Sequence, residues 1–400
     1  MRTERLVLRG ARIYGEEDVI EQGYLVVDKG RITEIGRGER ELPNEVQLPT
    51  DWTIIPGMID VHIHGAAGAD TMDATPESIS TMAEALPAEG TTAFLATTMT
   101  QEEVFIEQAL KNVAFYIEEE NQLGKAEVLG IHLEGPFISP KRAGAQPVEA
   151  IRLPDVALFR KWQELARGHI RLVTLAPERE GGLELAAHLK ETGVVASIGH
   201  SDATYEEAVE AVKAGVCHAT HLFNGMRGLH HREPGVVGAV LLHKEITTEL
   251  IADGIHVRPE MLDLTFRQKT SEKLILITDA MRAKCLGDGT YSLGGQAVQV
   301  ANGQAVLEDG TLAGSIVKMR DAAIHMMSAT RCDLRDIVRM TSENPAKQLG
   351  LFDRKGSLRP GKDADLVVLD EQLRVKMTYC RGKLAYRDYF ENVGSEHHPI

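Results

Sequence analysis

Through the middle of the chain, short runs of apolar, β-prone residues alternate with longer stretches in which apolar positions recur every three or four residues. The runs fall at 58–63, 92–98, 128–133, 170–176, 194–198, 216–220, 249–252 and 274–278. Helical periodicity occupies most of the gaps, at 76–88, 101–120, 183–191, 204–214 and 259–267. Strands that are apolar throughout are covered on both faces, and strands separated by helices pair in parallel. Eight such units close a barrel. The pattern therefore predicts an α/β fold, a (β/α)8 TIM-like barrel over residues 56–354. After the eighth run, 291–308 alternates polar and apolar residues with turn signals at Gly294-Gly295 and Asn302-Gly303, which predicts an inserted hairpin. Helices at 315–329 and 333–348 are expected to complete the barrel.

The two ends have a different texture. Short strands at 6–8, 24–28, 31–35 and 45–48 are broken by glycines and charged turns, and the same rhythm returns at 364–369, 375–380 and 383–386 behind the turn Arg359-Pro360-Gly361. Segments 1–55 and 355–400 are expected to pack together as one small β-sandwich domain, with a loose polar tail at 392–400.

Composition narrows the partners. A chain of 400 residues with 43% hydrophobic content can bury a large core, and a formal net charge of -15 argues against nucleic acid or an anionic membrane as partner. An anionic substrate would need local positive charge. No apolar run approaches the roughly 20 residues of a membrane span, and Met1-Arg2-Thr3-Glu4-Arg5 does not open a signal peptide. The four cysteines (Cys217, Cys285, Cys332, Cys380) are far apart and form no CxxC pair, which fits reduced thiols in a cytoplasmic protein.

Chemistry in such a barrel sits at the C-terminal ends of the strands. The first run ends in His62 and His64, two residues apart and so on one side of a strand. The third ends in Glu134, the fifth in Gly199-His200, the sixth in Thr220-His221, the seventh in Asp253-Gly254-Ile255-His256 and the eighth in Thr278-Asp279. One histidine at a strand end is ordinarily structural, and His132, His218, His230 and His231 are read that way or as loop contacts. Metal-competent residues at six strand ends of one barrel instead predict a metal site. Its ligands are His62, His64, Glu134, His200 and His221, a set suited to Zn, Fe, Mn, Co or Ni rather than Mg or Ca. One cation on Glu134, His200 and His221 would leave the HxH pair to orient the site. Two cations bridged by Glu134 would use all five ligands, and two are favoured. Asp279 is placed as proton carrier, as a further ligand or as a helix N-cap.

These residues resemble the amidohydrolase superfamily over essentially the whole chain, including the segment Gly361-Lys362-Asp363-Ala364-Asp365-Leu366. More narrowly, the strings His132-Leu133-Glu134-Gly135-Pro136-Phe137, Gly199-His200-Ser201-Asp202-Ala203-Thr204, Thr220-His221-Leu222-Phe223-Asn224, Arg232-Glu233-Pro234-Gly235, Ala252-Asp253-Gly254-Ile255-His256-Val257 and Leu312-Ala313-Gly314-Ser315 are together similar to the N-acetylglucosamine-6-phosphate deacetylase family. The resemblance implies a phosphorylated N-acetyl amino sugar as substrate, hydrolysed at its acetamide in amino-sugar catabolism, and a homodimer. It implies that Asn224, Gly225 and Arg232 hold the phosphate, that Ala145, Gln146, Leu312 and Ala313 contact substrate, and that His256 contacts the sugar and steadies the acetamide oxygen while Asp279 moves the proton. Taken alone, Arg232 reads as a surface arginine paired with Glu233. Family members often carry Ala where this chain has Gly225 and His where it has Gln146. The polar stretch His230-His231-Arg232 is long enough to reach a neighbouring chain's site.

Three other readings compete. A galactosamine substrate differs only at C4, which these motifs do not encode. Binuclear cyclic-amide hydrolases of the dihydroorotase or hydantoinase type use a carboxylated lysine after the fourth strand, where this chain has Leu175-Ala176-Pro177-Glu178. A non-catalytic assembly homologue would have lost ligands that are all present here.

Overall fold

The structure, a computed structural model, describes residues 5–38 and 45–388. The expected tail at 392–400 and the first four residues lie outside them. Eight parallel strands follow one another in chain order around one sheet: β1 (Met58–Ile63), β2 (Thr91–Thr97), β3 (Glu127–Glu134), β4 (Ile170–Leu175), β5 (Val195–Ile198), β6 (His218–Ala219), β7 (Thr247–Ile251) and β8 (Leu274–Ile277). The sheet closes between β1 and the chain leaving β8, where the Asp279 amide donates to the His62 carbonyl at 2.8 Å and the His64 amide to that of Ala280 at 2.9 Å. All residues of β1, β2, β3 and β7 are buried, as apolar runs covered on both faces require.

Helices lie between the strands, and their ends follow local chemistry. Thr75 caps Pro76–Ala85, and Thr204 with Glu207 forms a capping box on Tyr205–Ala214, which stops at Gly215. The pattern expected at 101–120 divides into a helix at Glu103–Phe115 and a wider turn at Tyr116–Glu120. That at 333–348 divides similarly, with a wide turn at Arg339–Glu343. Helix Met319–Ala329 starts four residues later than expected, because Ser315 is tied back to the end of β8. Helix Gly235–Leu242 escaped the sequence reading because Gly-Val-Val-Gly-Ala-Val-Leu-Leu has no polar face to set a period. Helix Val156–Leu165 was also missed, although Asp155 caps it.

Outside the barrel, Leu6–Arg9, Gly23–Asp28, Arg31–Arg37 and Glu45–Gln47 form a four-stranded sheet. A six-stranded sheet joins Arg12–Tyr14, Val19–Ile20 and Thr53–Pro56 from one end of the chain to Leu366–Leu369, Val375–Cys380 and Lys383–Arg387 from the other. Leu8, Leu25, Ile54, Leu366 and Val368 share the core between the sheets, which is the sandwich. Where a hairpin was expected, Gly289–Leu293, Gln296–Ala301 and Gln304–Val306 form a three-stranded meander. It packs Leu293 and Val298 with Met99 and Met281 at the mouth of the barrel. Among the described residues, no helix is long and apolar enough to cross a membrane.

Candidate metal centre and active site

Strand geometry delivers the side chains. Asp60 and His62 alternate along β1 and His64 follows directly after its end, and all three are buried. Glu134 is the last residue of β3. The chain leaves β5, β6 and β8 through His200 (φ 46°), His221 (φ 29°) and Asp279 (φ 47°), three non-glycine residues in the left-handed region. Such conformations are costly and persist where surrounding structure imposes them, typically at functional sites.

The result is two triads sharing a floor. In the first, His62 Nε2 and His64 Nε2 lie 3.4 and 3.3 Å from Asp279 Oδ1. In the second, His200 Nε2 and His221 Nε2 each lie 3.2 Å from Glu134 Oε1 and 3.1 Å from one another. Glu134 also faces the first triad, 3.4 Å from His62 Nε2 and 3.2 Å from His64 Nε2. Within each triad the ligand atoms fall within 4.8 Å of one another. Asp279 is therefore both a candidate ligand and a carboxylate beside the reacting position.

A second layer fixes the rings. His62 Nδ1 donates to Glu249 Oε2 at 3.0 Å, and His200 Nδ1 to the Arg142 carbonyl at 2.8 Å, so both rings turn Nε2 toward the centre, the nitrogen that a neutral ring so bonded leaves as a lone pair. Gln146 donates to Glu134 Oε2 at 2.8 Å while its oxygen accepts from the Thr100 amide at 2.8 Å.

The electrostatics show what the cluster lacks. Burial works against charge on His62, but Asp279, Glu134 and Glu249 outweigh it and raise its pKa well above the usual imidazole range. His64 is pushed up to about 9 against burial, through Asp279 and Glu134. Burial likewise opposes charge on Glu134, yet His62, His200 and His221 hold its carboxyl well below the usual range. Burial would raise Asp279 too, but His62 and His64 lower it. The carboxylates thus draw positive charge onto the imidazoles. The buried His62 Nε2 finds no hydrogen-bond partner. Imidazole and carboxylate donors converging in this way fit a divalent transition metal, which would displace those protons.

Above the triads opens a cleft of about 230 Å³. His64, Glu134, His200, His221 and Asp279 line its floor, and Ala145, Gln146, Asn224, Gly225, His256 and Leu312 its walls. His256 is braced by Asp253, which accepts from His256 Nδ1 at 2.7 Å; despite burial, that carboxylate raises the imidazole's pKa. Ala313 turns instead into the apolar cluster under the meander. Arg232 is exposed, is not part of the lining, and meets His231 at 2.8 Å rather than Glu233. No lysine or arginine lines the cleft among the described residues.

Sequence reasoning missed Glu249 and Asp60. The signal for each was a charged residue inside an otherwise apolar run, and in Asp60 its place two residues before His62. His132 and His218, read as structural, bond to Thr174 at 2.7 Å and Glu249 at 3.0 Å. His230 and His231 lie on an exposed loop.

Comparison with known proteins bears on family and fold. The profile of the amidohydrolase family matches residues 53–385. The N-acetylglucosamine-6-phosphate deacetylase of Bacillus subtilis (strain 168) is 53% identical over 386 residues, 96% of this chain and 98% of that one. The N-acetylgalactosamine-6-phosphate deacetylase of Escherichia coli O157:H7 is 38% identical, covering 95% and 99%. Among solved structures, a mutant N-acetyl-D-glucosamine-6-phosphate deacetylase from Mycobacterium smegmatis in complex with N-acetyl-D-glucosamine-6-phosphate superposes with a TM-score of 0.90 at 32% identity, covering 96% of this chain and 99% of that one.

Proposed function

The chain belongs to the amidohydrolase family, and from that premise we propose that it hydrolyses the acetamide of N-acetyl-D-glucosamine 6-phosphate to D-glucosamine 6-phosphate and acetate. This is a step of amino-sugar catabolism and cell-wall sugar recycling. The observation that carries the reading is Glu134 shared between two ligand triads at the floor of a cleft whose wall carries Asn224, Gly225 and His256. It supports a hydrolytic centre beside groups able to hold a small polar substrate.

The resident cofactor in this reading is a pair of divalent transition metals (Zn, Fe, Mn, Co or Ni). Glu134, His200 and His221 would hold one and His62, His64 and Asp279 the other, with Glu134 facing both groups. When bound, the cations polarise the acetamide carbonyl and make a water molecule acidic near neutral pH. Asp279, its Oδ1 3.4 and 3.3 Å from His62 and His64 beside the reacting position, accepts the water's proton as the new C–O bond forms. It then delivers that proton to the sugar nitrogen as the C–N bond breaks, so one water is consumed and the amine and acetic acid leave. His256, its Nδ1 held by Asp253, donates through its other nitrogen to the carbonyl oxygen as negative charge gathers there.

Phosphate binding falls to Asn224 and the backbone of Gly225, with Ala145, Gln146 and Leu312 shaping the sugar site and Ala313 packed beneath the meander instead. Gln146 acts mainly through Glu134, since both ends of its amide are engaged. Arg232 enters from a second copy of the chain in a homodimer. Its exposure, and a cleft lined by no cation among the described residues, support that assignment. A cytoplasmic location agrees with cysteines that form no disulfide.

Protein purified without chelator, assayed for acetate release on the phosphorylated gluco and galacto sugars and for metal content, tests the reading. A gluco preference with two cations per chain is expected, and no release from either sugar overturns it. Cyclic amides are disfavoured because Glu178, after β4, is spent on Ser201 at 2.8 Å and the Asp202 amide at 2.7 Å.

A further inference from the structure

Glu249 stands in the middle of β7, 0% exposed, on the side of His62 away from the cleft. Both of its oxygens are used. Oε2 accepts from His62 Nδ1 at 3.0 Å and from the His221 amide at 3.1 Å, and Oε1 accepts from His218 Nε2 at 3.0 Å. A buried carboxylate is expensive unless its hydrogen bonds are met, and three N–H donors meet them here.

We propose that Glu249 is the positioning residue that turns His62, His64 and Asp279 into a cation site, and so sets whether the chain holds a second cation. The inference rests on the two-cation reading above.

The argument is one of tautomers. A neutral imidazole carries one proton, and the nitrogen that carries it cannot ligate. Glu249 keeps that proton on Nδ1 of His62, which leaves the Nε2 lone pair facing Glu134 and Asp279. Without Glu249, His62 Nδ1 loses its carboxylate, and the group left beside it is the ring of His132, whose buried Nδ1 has no hydrogen-bond partner. The nearest ring, His132, stands edge-on with its centroid 4.4 Å away and gives its Nε2 to Thr174. A His62 protonated on Nε2 would aim a donor into the site.

The other triad depends on a different support. His200 takes its orientation from the Arg142 carbonyl, and Gln146 fixes Glu134. Glu249 reaches that triad only through the His221 backbone amide. Its loss therefore acts selectively, on the subsite that needs His62. Carboxylate partners of ligating histidines are worth roughly 10- to 100-fold in metal affinity.

The test is Zn²⁺ titration of chelator-stripped protein by calorimetry, with wild type, Glu249→Gln and Glu249→Leu. Wild type is expected to take up two ions in separable steps. Glu249→Gln keeps an amide oxygen for His62 and the His221 amide while its NH2 faces His218, so the second step weakens about tenfold and the first is unchanged. Glu249→Leu removes the acceptor, and the second ion is lost while the first remains. Should the leucine variant not fold, the glutamine variant decides. Equal affinities for both ions in wild type and variant, or equal weakening of both steps, overturns the positioning role while leaving the deacetylase reading intact. A wild type that takes up only one ion overturns the two-cation reading, and the inference with it.

Discussion

Glu127 and Glu134 begin and end the same strand, β3, and both are buried with carboxyls held below the usual carboxylate range, but by groups of different kinds. Glu127, at the closed end of the barrel, meets Lys355 Nζ at 2.7 Å and Arg354 at 3.0 Å. These cations keep their charge across the working pH range, and Asp363 and Asp365 complete the cluster around Lys355. Glu134, at the open end, is answered by imidazoles, whose charge is a removable proton. The first arrangement is complete and joins the sandwich to the barrel. The second has carboxylates and nitrogen lone pairs that a divalent cation can take over from protons. Two glutamates on one strand thus separate a frame from a candidate reactive centre, in line with the general division of barrels into a stabilising face and a catalytic one.

The sharpest way to break the comparison is at its reactive end. Glu134→Ala removes a group shared by both triads. It is expected to abolish cation retention and lower kcat/KM by about 10⁴-fold, since the cations supply several kcal/mol of transition-state stabilisation. Metal analysis with circular dichroism checks it: a folded variant that keeps both cations contradicts the shared-ligand geometry. Asp279→Asn comes next. Proton transfer by a positioned group contributes roughly 10² to 10⁴-fold, so kcat should fall by that amount while the Glu134, His200 and His221 site keeps its cation. Near-normal turnover would remove Asp279 from the proton path.

At the other end the readout is stability. Burial raises the Glu127 carboxyl, but Lys355, then Arg354 and Arg381, bring it from the ordinary 4.5 down to about 2. A carboxyl depressed in the folded state stabilises fully above its unfolded pKa and loses that contribution as pH falls through the folded value. Here the window runs from 4.5 to about 2, and the contribution at neutral pH is on the order of 3 kcal/mol. Glu127→Gln should therefore unfold more readily than wild type at pH 7, with the gap closing toward pH 2, while activity per bound cation stays unchanged. Denaturant melts at pH 7, 4 and 2.5 measure this. A gap independent of pH would assign the loss to packing rather than charge.

The legibility of the two ends in the sequence differs for the same reason. The open end could be read because strand termini in a barrel are chemically exposed by topology, so His62, His64, Glu134, His200, His221 and Asp279 follow from counting strands. The Lys355 cluster could not, since its members come from residues 127 and 354–365 and meet only when the two chain ends fold together. Glu249 stays hidden because it lies within β7 rather than at its end, and what it bonds is set by β1 and β6. For Arg232 the string is intact, but which chain's cleft it serves is not written in it: the side chain lies on an exposed loop outside this chain's cleft.

Asp60 lies between the two regimes and provides the finest test. It is a buried carboxylate beneath the centre, and burial lifts its pKa to about 6 even though Lys284 and Thr278 pull the other way. Its Oδ2 accepts from Thr278 Oγ1 at 2.5 Å, and its Oδ1 from the His62 amide at 3.2 Å and the Thr278 amide at 3.3 Å. It therefore ties β1 to the chain leaving β8 just below the points where His62 and Asp279 emerge, so it belongs to the frame although it sits against the reactive centre. Asp60→Ala leaves those donors unanswered, at a cost of about 1–3 kcal/mol. It should lower kcat by about tenfold through a displaced Asp279, with cation content retained. Asp60→Asn offers the same acceptor to the two amides, and the Thr278 hydroxyl can rotate to accept from its NH2, so it should recover most of the rate. If Asp60→Ala instead sheds cations as Glu134→Ala does, Asp60 is part of the charged cluster itself, and the boundary between frame and centre lies one layer deeper in the barrel.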